Sequence, residues 1–230
     1  MKKSILLFLS TFQIIYLLSS CSKEINPTYK NCDSKLYDLC NGNGNGAYCT
    51  FGYKWGNNNP FANAGLEKPG PSVGNIELTY KFMDSGFLFN IHNKDNITSL
   101  SFDNNVVSCT KDKFRLAFKE WSSVTKVDFK EVSITENADI KIIVADIEQS
   151  SIGYPNYNDL PCSDIKGQII FKKNEYNCST IYGAILHEIG HVLGLGHVNS
   201  RNIMHPSQST RYNQLQSGDI LGVQSIYGRR

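Results

Sequence analysis

His187-Glu-Ile-Gly-His-Val-Leu-Gly-Leu-Gly-His197 gathers three of the five histidines of a 230-residue chain into one short stretch. On an α-helix, residues four apart share a face, so His187 and His191 can present two imidazoles to one metal ion. Glu188 lies about 100° further round the same turn, where it can take a proton from a water on that ion without being a ligand. A helix that continued would carry His197 away. The chain must instead turn back, and Gly194 stands where that turn needs a left-handed backbone, which glycine adopts without steric cost. Five fixed positions in this order arise by chance on the order of once in 10⁵ chains of this length. Three neutral imidazoles leave the fourth tetrahedral position of Zn²⁺ to water, the arrangement of a catalytic rather than a structural site. The chemistry implied is peptide-bond hydrolysis without a covalent intermediate. Glu188 is the general base toward a water activated on the zinc and then passes the proton to the leaving amine, while the ion stabilises the oxyanion.

Outward from this stretch, Ile181 to Leu193 reads as the helix that carries it. Ala138 to Ala145 is apolar enough for a central strand, and Asn75 to Phe82 alternates with period two. Between them, Lys111 to Val124 sets Phe114, Ala117, Phe118 and Trp121 at helical spacing. Ser150 to Tyr154 and Gln168 to Phe171 are short strand candidates. Ser217 to Tyr227 reads as a last helix ended by Gly228. The order predicts one α/β domain with a twisted, mixed, mostly parallel sheet and three main helices, without internal repeat or second core.

The formal charge of +2 is spread without long single-sign runs, so nothing points to nucleic acid as a partner. Lys2 and Lys3 precede an apolar run, Ile5 to Leu18, too short for an ordinary spanning helix, and residues 1–20 read as a signal peptide. Leu18-Ser-Ser-Cys21 resembles the lipobox of bacterial lipoproteins, which would make Cys21 a lipid attachment site and the lipid the sole membrane contact. Plain secretion, with Cys21 as one more thiol, is the other reading. With Cys21 set aside, Cys32, Cys40, Cys49, Cys109, Cys162 and Cys178 form an even set suited to an oxidising compartment. Cys162 with Cys178 is the favoured pair, because both lie in the short segment between two predicted elements. Residues 21–50, with the run Asn41 to Gly46, read as a tether or short pro-segment, and 51–230 as the folded domain.

The zinc motif, followed by Ile203-Met204, resembles the signature and Met-turn of the metzincin metalloproteases, with their zincin-like catalytic domain. Within that clan the likeness is to the matrixins, from about Phe51 to Gly228. It rests on Phe51-Gly-Tyr-Lys-Trp55, Leu78-Thr-Tyr80, Phe114 to Thr125, Ala138-Asp-Ile140 and Asp219 to Gly228. The resemblance implies one catalytic Zn²⁺ held by His187, His191 and His197, with Met204 as a hydrophobic floor. It also implies a substrate laid as an extra strand along Ser151, Ile152, Gly153 and Tyr154, with Pro206 to Gln208 as the opposite wall. Gly183 then sits where the depth of the specificity pocket is set. Cys32 and Asp33 are candidates for a latency ligand of the zinc; a disulfide-stapled tether is the alternative.

The sequence also departs from the family pattern. Ala145 to Ser150 is shorter than the matrixin loop that holds a structural zinc and calcium, and His92 and His205 are the only histidines left, so no structural zinc is expected. Lys172 stands where the family has a calcium-binding aspartate, which argues against calcium there. His205 reads as a pocket-lining or surface residue and His92 as a solvated loop residue. The expectation is a secreted, monomeric zinc endopeptidase acting on proteins or peptides, held by lipid at a bacterial outer membrane or cell surface. The competing expectation is a cell-surface binding protein that keeps the fold without turnover.

Overall fold

The computed structural model describes residue 32 and residues 46–56, 74–158, 161–207 and 211–230. The readings of residues 1–20, Cys21, Asp33, Cys40 and Gln208 lie outside these. Strands run in the order β1 (Cys49–Thr50), β2 (Ile76–Phe82), β3 (Leu88–Ile91), β4 (Lys94–Thr98), β5 (Val127–Glu131), β6 (Ile140–Ala145), β7 (Ser151–Gly153), β8 (Gln168–Lys172) and β9 (Leu195–Gly196). Three main helices are α1 (Thr110–Val124), α2 (Ile181–Val192) and α3 (Ser217–Tyr227). The main sheet has the order β5-β2-β6-β8-β7 and is parallel except for β7, which closes one edge antiparallel to β8.

Period-two alternation buries both faces of the sheet. In β6, Ile142 and Val144 join the core beneath the helices, whereas Ile143 and Ala145 join a second core on the far face, which the sequence reading did not expect. The same split puts Ile169 and Phe171 of β8 on the helix side and Ile170 on the other. A strand covered on both sides has to be apolar along its buried stretch, as Ile142 to Ala145 of β6 are, with Lys141 only partly buried near its start. The helix α1 places Phe114, Ala117, Phe118 and Trp121 inward, as its spacing predicts.

Several elements differ from the sequence reading, β1 among them, since Cys49–Thr50 lies within the expected tether. Residues 88–98 form a hairpin, β3 with β4, that helps to cover the second core with Phe89, Ile91 and Ile97. Their polar neighbours hide that alternation, and His92 at the turn is not a solvated loop residue: it is half-buried, with Nδ1 2.9 Å from the Tyr154 hydroxyl. The edge strand β5 went unread because only Val127 of it is fully buried.

Among the described cysteines, Cys32 is bonded to Cys162 and Cys109 to Cys178. Cys49 is also in a disulfide. The favoured pair Cys162–Cys178 is therefore corrected. Cys109 precedes α1 and Cys178 precedes α2, and the packing of these helices brings together sulfurs 69 residues apart in sequence.

Candidate active site

The helix α2 is buried along almost its whole length, which its apolar composition requires, and it seats His187, Glu188 and His191 inside the protein. Its last turn is held from outside. Trp55 Nε1 donates to Val192 O at 2.9 Å and the Tyr227 hydroxyl to Leu193 O at 3.0 Å, satisfying carbonyls that a helix end leaves without partners. Gly194 follows with φ of 99°, and a side chain there would collide with the Tyr53 carbonyl. The reversed chain then runs as β9 against β1 and arrives at His197.

His197 Nε2 lies 3.1 Å from Nε2 of both His187 and His191. The other ring nitrogens are fixed: His187 Nδ1 lies 2.7 Å from Ile203 O, and His191 Nδ1 2.9 Å from Leu195 O. A carbonyl only accepts, so both rings carry their proton on Nδ1 and turn a bare lone pair at Nε2 toward His197. His197 can donate to only one of them, so lone pairs face one another, and a shared cation resolves that conflict. Burial keeps the rings neutral, with His187 lowered to about 3, His197 to about 4 and His191 well below its ordinary value. Three neutral imidazole nitrogens within 4.8 Å of one another are a donor set suited to Zn²⁺.

Met204, expected as the floor, is 2% exposed, and its Sδ occupies the space that a side chain at Gly190 would need. The turn holding it is tied to α3 by Asp219, whose carboxylate accepts the N–H of Ile203 at 3.0 Å and of Met204 at 3.2 Å. Ile203 therefore links Asp219 through its N–H and His187 through its carbonyl.

Glu188 is buried, and its carboxylate accepts a hydrogen bond at Oε1 from Ser151 Oγ at 2.7 Å. Its Oε2 has no hydrogen-bond partner among the described residues. Burial pushes this carboxyl up to about 8, opposed by the bond from Ser151. Gly153 lies beside it: a Cβ there would come within 2.5 Å of the Glu188 carbonyl oxygen and 2.9 Å of Oε2.

The other expected residues divide. Ser151, Ile152 and Gly153 form one edge of the sheet among the described residues. Bonds from Lys172 N to Ser150 O and from Tyr154 N to Gln168 O fix the phase of the ladder, so the main-chain groups of Ser151 and Gly153 turn away from β8. Tyr154 does not belong with them. Its side chain is wholly buried and its main chain bonds to Gln168 and Gly167, so it has nothing to offer a peptide. Gly183 is buried in α2 and Pro206 is exposed beyond the Met-turn. His205 is half-buried, and its Nδ1 accepts from Ser207 N at 3.2 Å. Cys32 is corrected as a latency candidate: its sulfur is committed to Cys162, as in the stapled-tether alternative, and cannot reach a metal.

Sequence reasoning missed Asp219 as a support, the Ser151 side chain, and Tyr176, whose hydroxyl is 3.0 Å from Ser151 Oγ. None stands in a motif with the histidines. Only the aspartate carried a local sign, as an acid three residues after the residue that caps a helix, Gln216.

The profile of the matrixin family matches residues 92–228. The chain is 34% identical to the human protein named matrix metalloproteinase-26 over 140 residues, 54% of this chain and 53% of that protein. It is 31% identical to metalloendoproteinase 1 of Glycine max over 141 residues, 51% of this chain and 45% of that one. With the macrophage metalloelastase of Oryctolagus cuniculus it shares 31% over 128 residues, 49% of this chain and 27% of the other. The chain thus matches about half the length, or less, of these relatives.

Proposed function

Because the chain belongs to the matrixin family, whose members are zinc metalloproteases, we propose that it is a zinc-dependent endopeptidase with Glu188 as general base. The observation that carries this reading is the convergence of three Nε2 atoms, two of them from the helix that also carries a buried carboxylate with one oxygen unpartnered among the described residues. His187, His191 and His197 would hold the ion. When bound, zinc supplies a Lewis acid that acidifies water and polarises the scissile carbonyl.

The chain's own groups do the rest. Glu188 accepts the proton of the attacking water at Oε2 and returns it to the departing amine nitrogen. The outward main-chain groups of Ser151 and Gly153 pair with an extended peptide and hold the scissile bond in register. Gly153 lets β7 itself lie close to Glu188. The segment from Pro206 forms the opposite wall, and the missing side chain at Gly183 makes a roomy pocket for an apolar residue just after the cut.

The disulfides Cys32–Cys162 and Cys109–Cys178 support a life outside the reducing cytosol. With residues 1–20 read as a signal peptide, they favour a secreted enzyme, and Cys21 read as a lipid site would tether it to a membrane surface.

The test is hydrolysis of a quenched peptide with an apolar residue just after the cut. Activity should vanish with a chelator, return with Zn²⁺, and fall at least ~10³-fold in Glu188→Ala. Activity indifferent to the chelator, or intact in Glu188→Ala, overturns the reading.

A further inference from the structure

The β7 edge of the sheet carries a feature that peptide pairing does not use. Side chains alternate along a strand, so Ser151 and Gly153 point to the same side, toward α2, while Ile152 and Tyr154 point to the second core. Glycine at 153 gives Glu188 room; serine at 151 gives it a bond. In the ionised state in which it acts as base, Glu188 only accepts, so the one hydroxyl proton of Ser151 goes to Oε1, 2.7 Å away. The contact between Ser151 Oγ and the Tyr176 hydroxyl, 3.0 Å, then has Tyr176 as donor. Tyr176 is itself held edge-on against Phe171, with ring centroids 5.4 Å apart. The result is a directed chain from Tyr176 through Ser151 to Oε1, which leaves Oε2 as the carboxylate oxygen without a partner among the described residues.

We infer that Ser151, backed by Tyr176, is a positioning residue for the general base: it anchors Oε1 so that Oε2 alone faces the reacting water. The inference rests on the role of Glu188 proposed above and goes beyond it, because it assigns different work to the two oxygens. Without the anchor the carboxylate turns about its terminal torsion, which is broad, and spends part of its time misdirected. Misplacing a reacting group costs turnover rather than binding.

A mutant cycle on the zinc-loaded protein tests this. Ser151→Ala should lower kcat about tenfold with KM within about twofold, and Tyr176→Phe about threefold. The double variant should match Ser151→Ala alone, because Tyr176 acts only through Ser151. Ser151→Thr, which keeps the hydroxyl, should recover most of the turnover. Crystals of zinc-loaded Ser151→Ala should show the Glu188 carboxylate rotated, at unchanged zinc stoichiometry. Additive effects of the two substitutions, or a carboxylate that stays in place without Ser151, overturn the inference. Zinc-loaded wild type that cleaves no peptide overturns the peptidase reading instead, and the crystals still decide the anchor.

Discussion

Asp219 holds Met204 in place: its Oδ1 accepts the Met204 N–H at 3.2 Å. The other oxygen takes the N–H of Ile203 at 3.0 Å and of Gln216 at 2.8 Å. One carboxylate thus starts α3, through a reciprocal bond with Gln216, and fixes the turn whose Ile203 carbonyl orients His187. Burial raises the Asp219 carboxyl, and the backbone donors pull it back toward the charged form.

Asp219→Asn turns one acceptor into a donor that faces a backbone N–H. It should cost about 2 kcal/mol of stability, as for a lost bond to a buried charge. Because Ile203 orients His187, zinc affinity should fall by about tenfold or more, as for other supports of a metal ligand. Denaturant titration and competition with a zinc indicator measure the two effects separately. Loss of neither would show the Met-turn to be held by other contacts.

Gly194→Ala places a Cβ at φ of 99° against the Tyr53 carbonyl, a backbone atom that cannot swing aside. The strain alone is roughly 1–3 kcal/mol. Relief of the clash should move the His197 segment, so zinc stoichiometry should drop together with the thermal midpoint. Metal analysis beside calorimetry checks the pairing. A variant with full zinc content and an unchanged midpoint contradicts it.

Stability of the metal-free protein should peak near neutral pH. Burial lowers His187 to about 3 and His197 to about 4 from an ordinary 6.5, and lowers His191 as well. As pH falls below 6.5 the unfolded chain binds protons on these rings that the folded chain refuses, so stability falls until the folded rings protonate. Glu188, raised from 4.5 to about 8, works the other way. Above 4.5 the folded chain keeps a proton the unfolded chain has lost, and this contribution disappears as pH rises through about 8. Below 6.5 the several histidines outweigh the single carboxyl. Thermal scans in chelator at about pH 5, 7 and 8.5 should give the highest midpoint in the middle; a steady rise across the range refutes the balance.

Replacing Cys109 and Cys178 together by serine removes the link between the start of α1 and the segment before α2. The loss should be about 2–4 kcal/mol, through a less restricted unfolded chain. Unfolding by guanidinium, followed by tryptophan fluorescence, reports it, since Trp121 of α1 is fully buried with Nε1 bonded to Leu186 O of α2. An unchanged midpoint would mean that helix packing alone secures this junction.

The sequence by itself determined the helix α2, its reversal at Gly194, the three converging histidines and the alternation of strands and helices in the sheet. These are local or periodic facts: a helix repeats every 3.6 residues, a strand every two, and a left-handed turn asks for glycine at one position. It also named Ser151 and Gly153 as an edge, though only through likeness to a family. Only the tertiary structure decided which side chains serve Glu188, which acid carries the Met-turn, how Cys32, Cys109, Cys162 and Cys178 pair, and that His92 reaches Tyr154. The physical reason is that a hydrogen bond or disulfide between distant residues needs two atoms within a few ångströms, and that distance is set by how helices and strands pack. No spacing along the chain encodes the 37 residues between Ser151 and Glu188 as a contact. The parallel order of β6 and β8, with β7 folded back along the edge and α2 packed against it, makes it one.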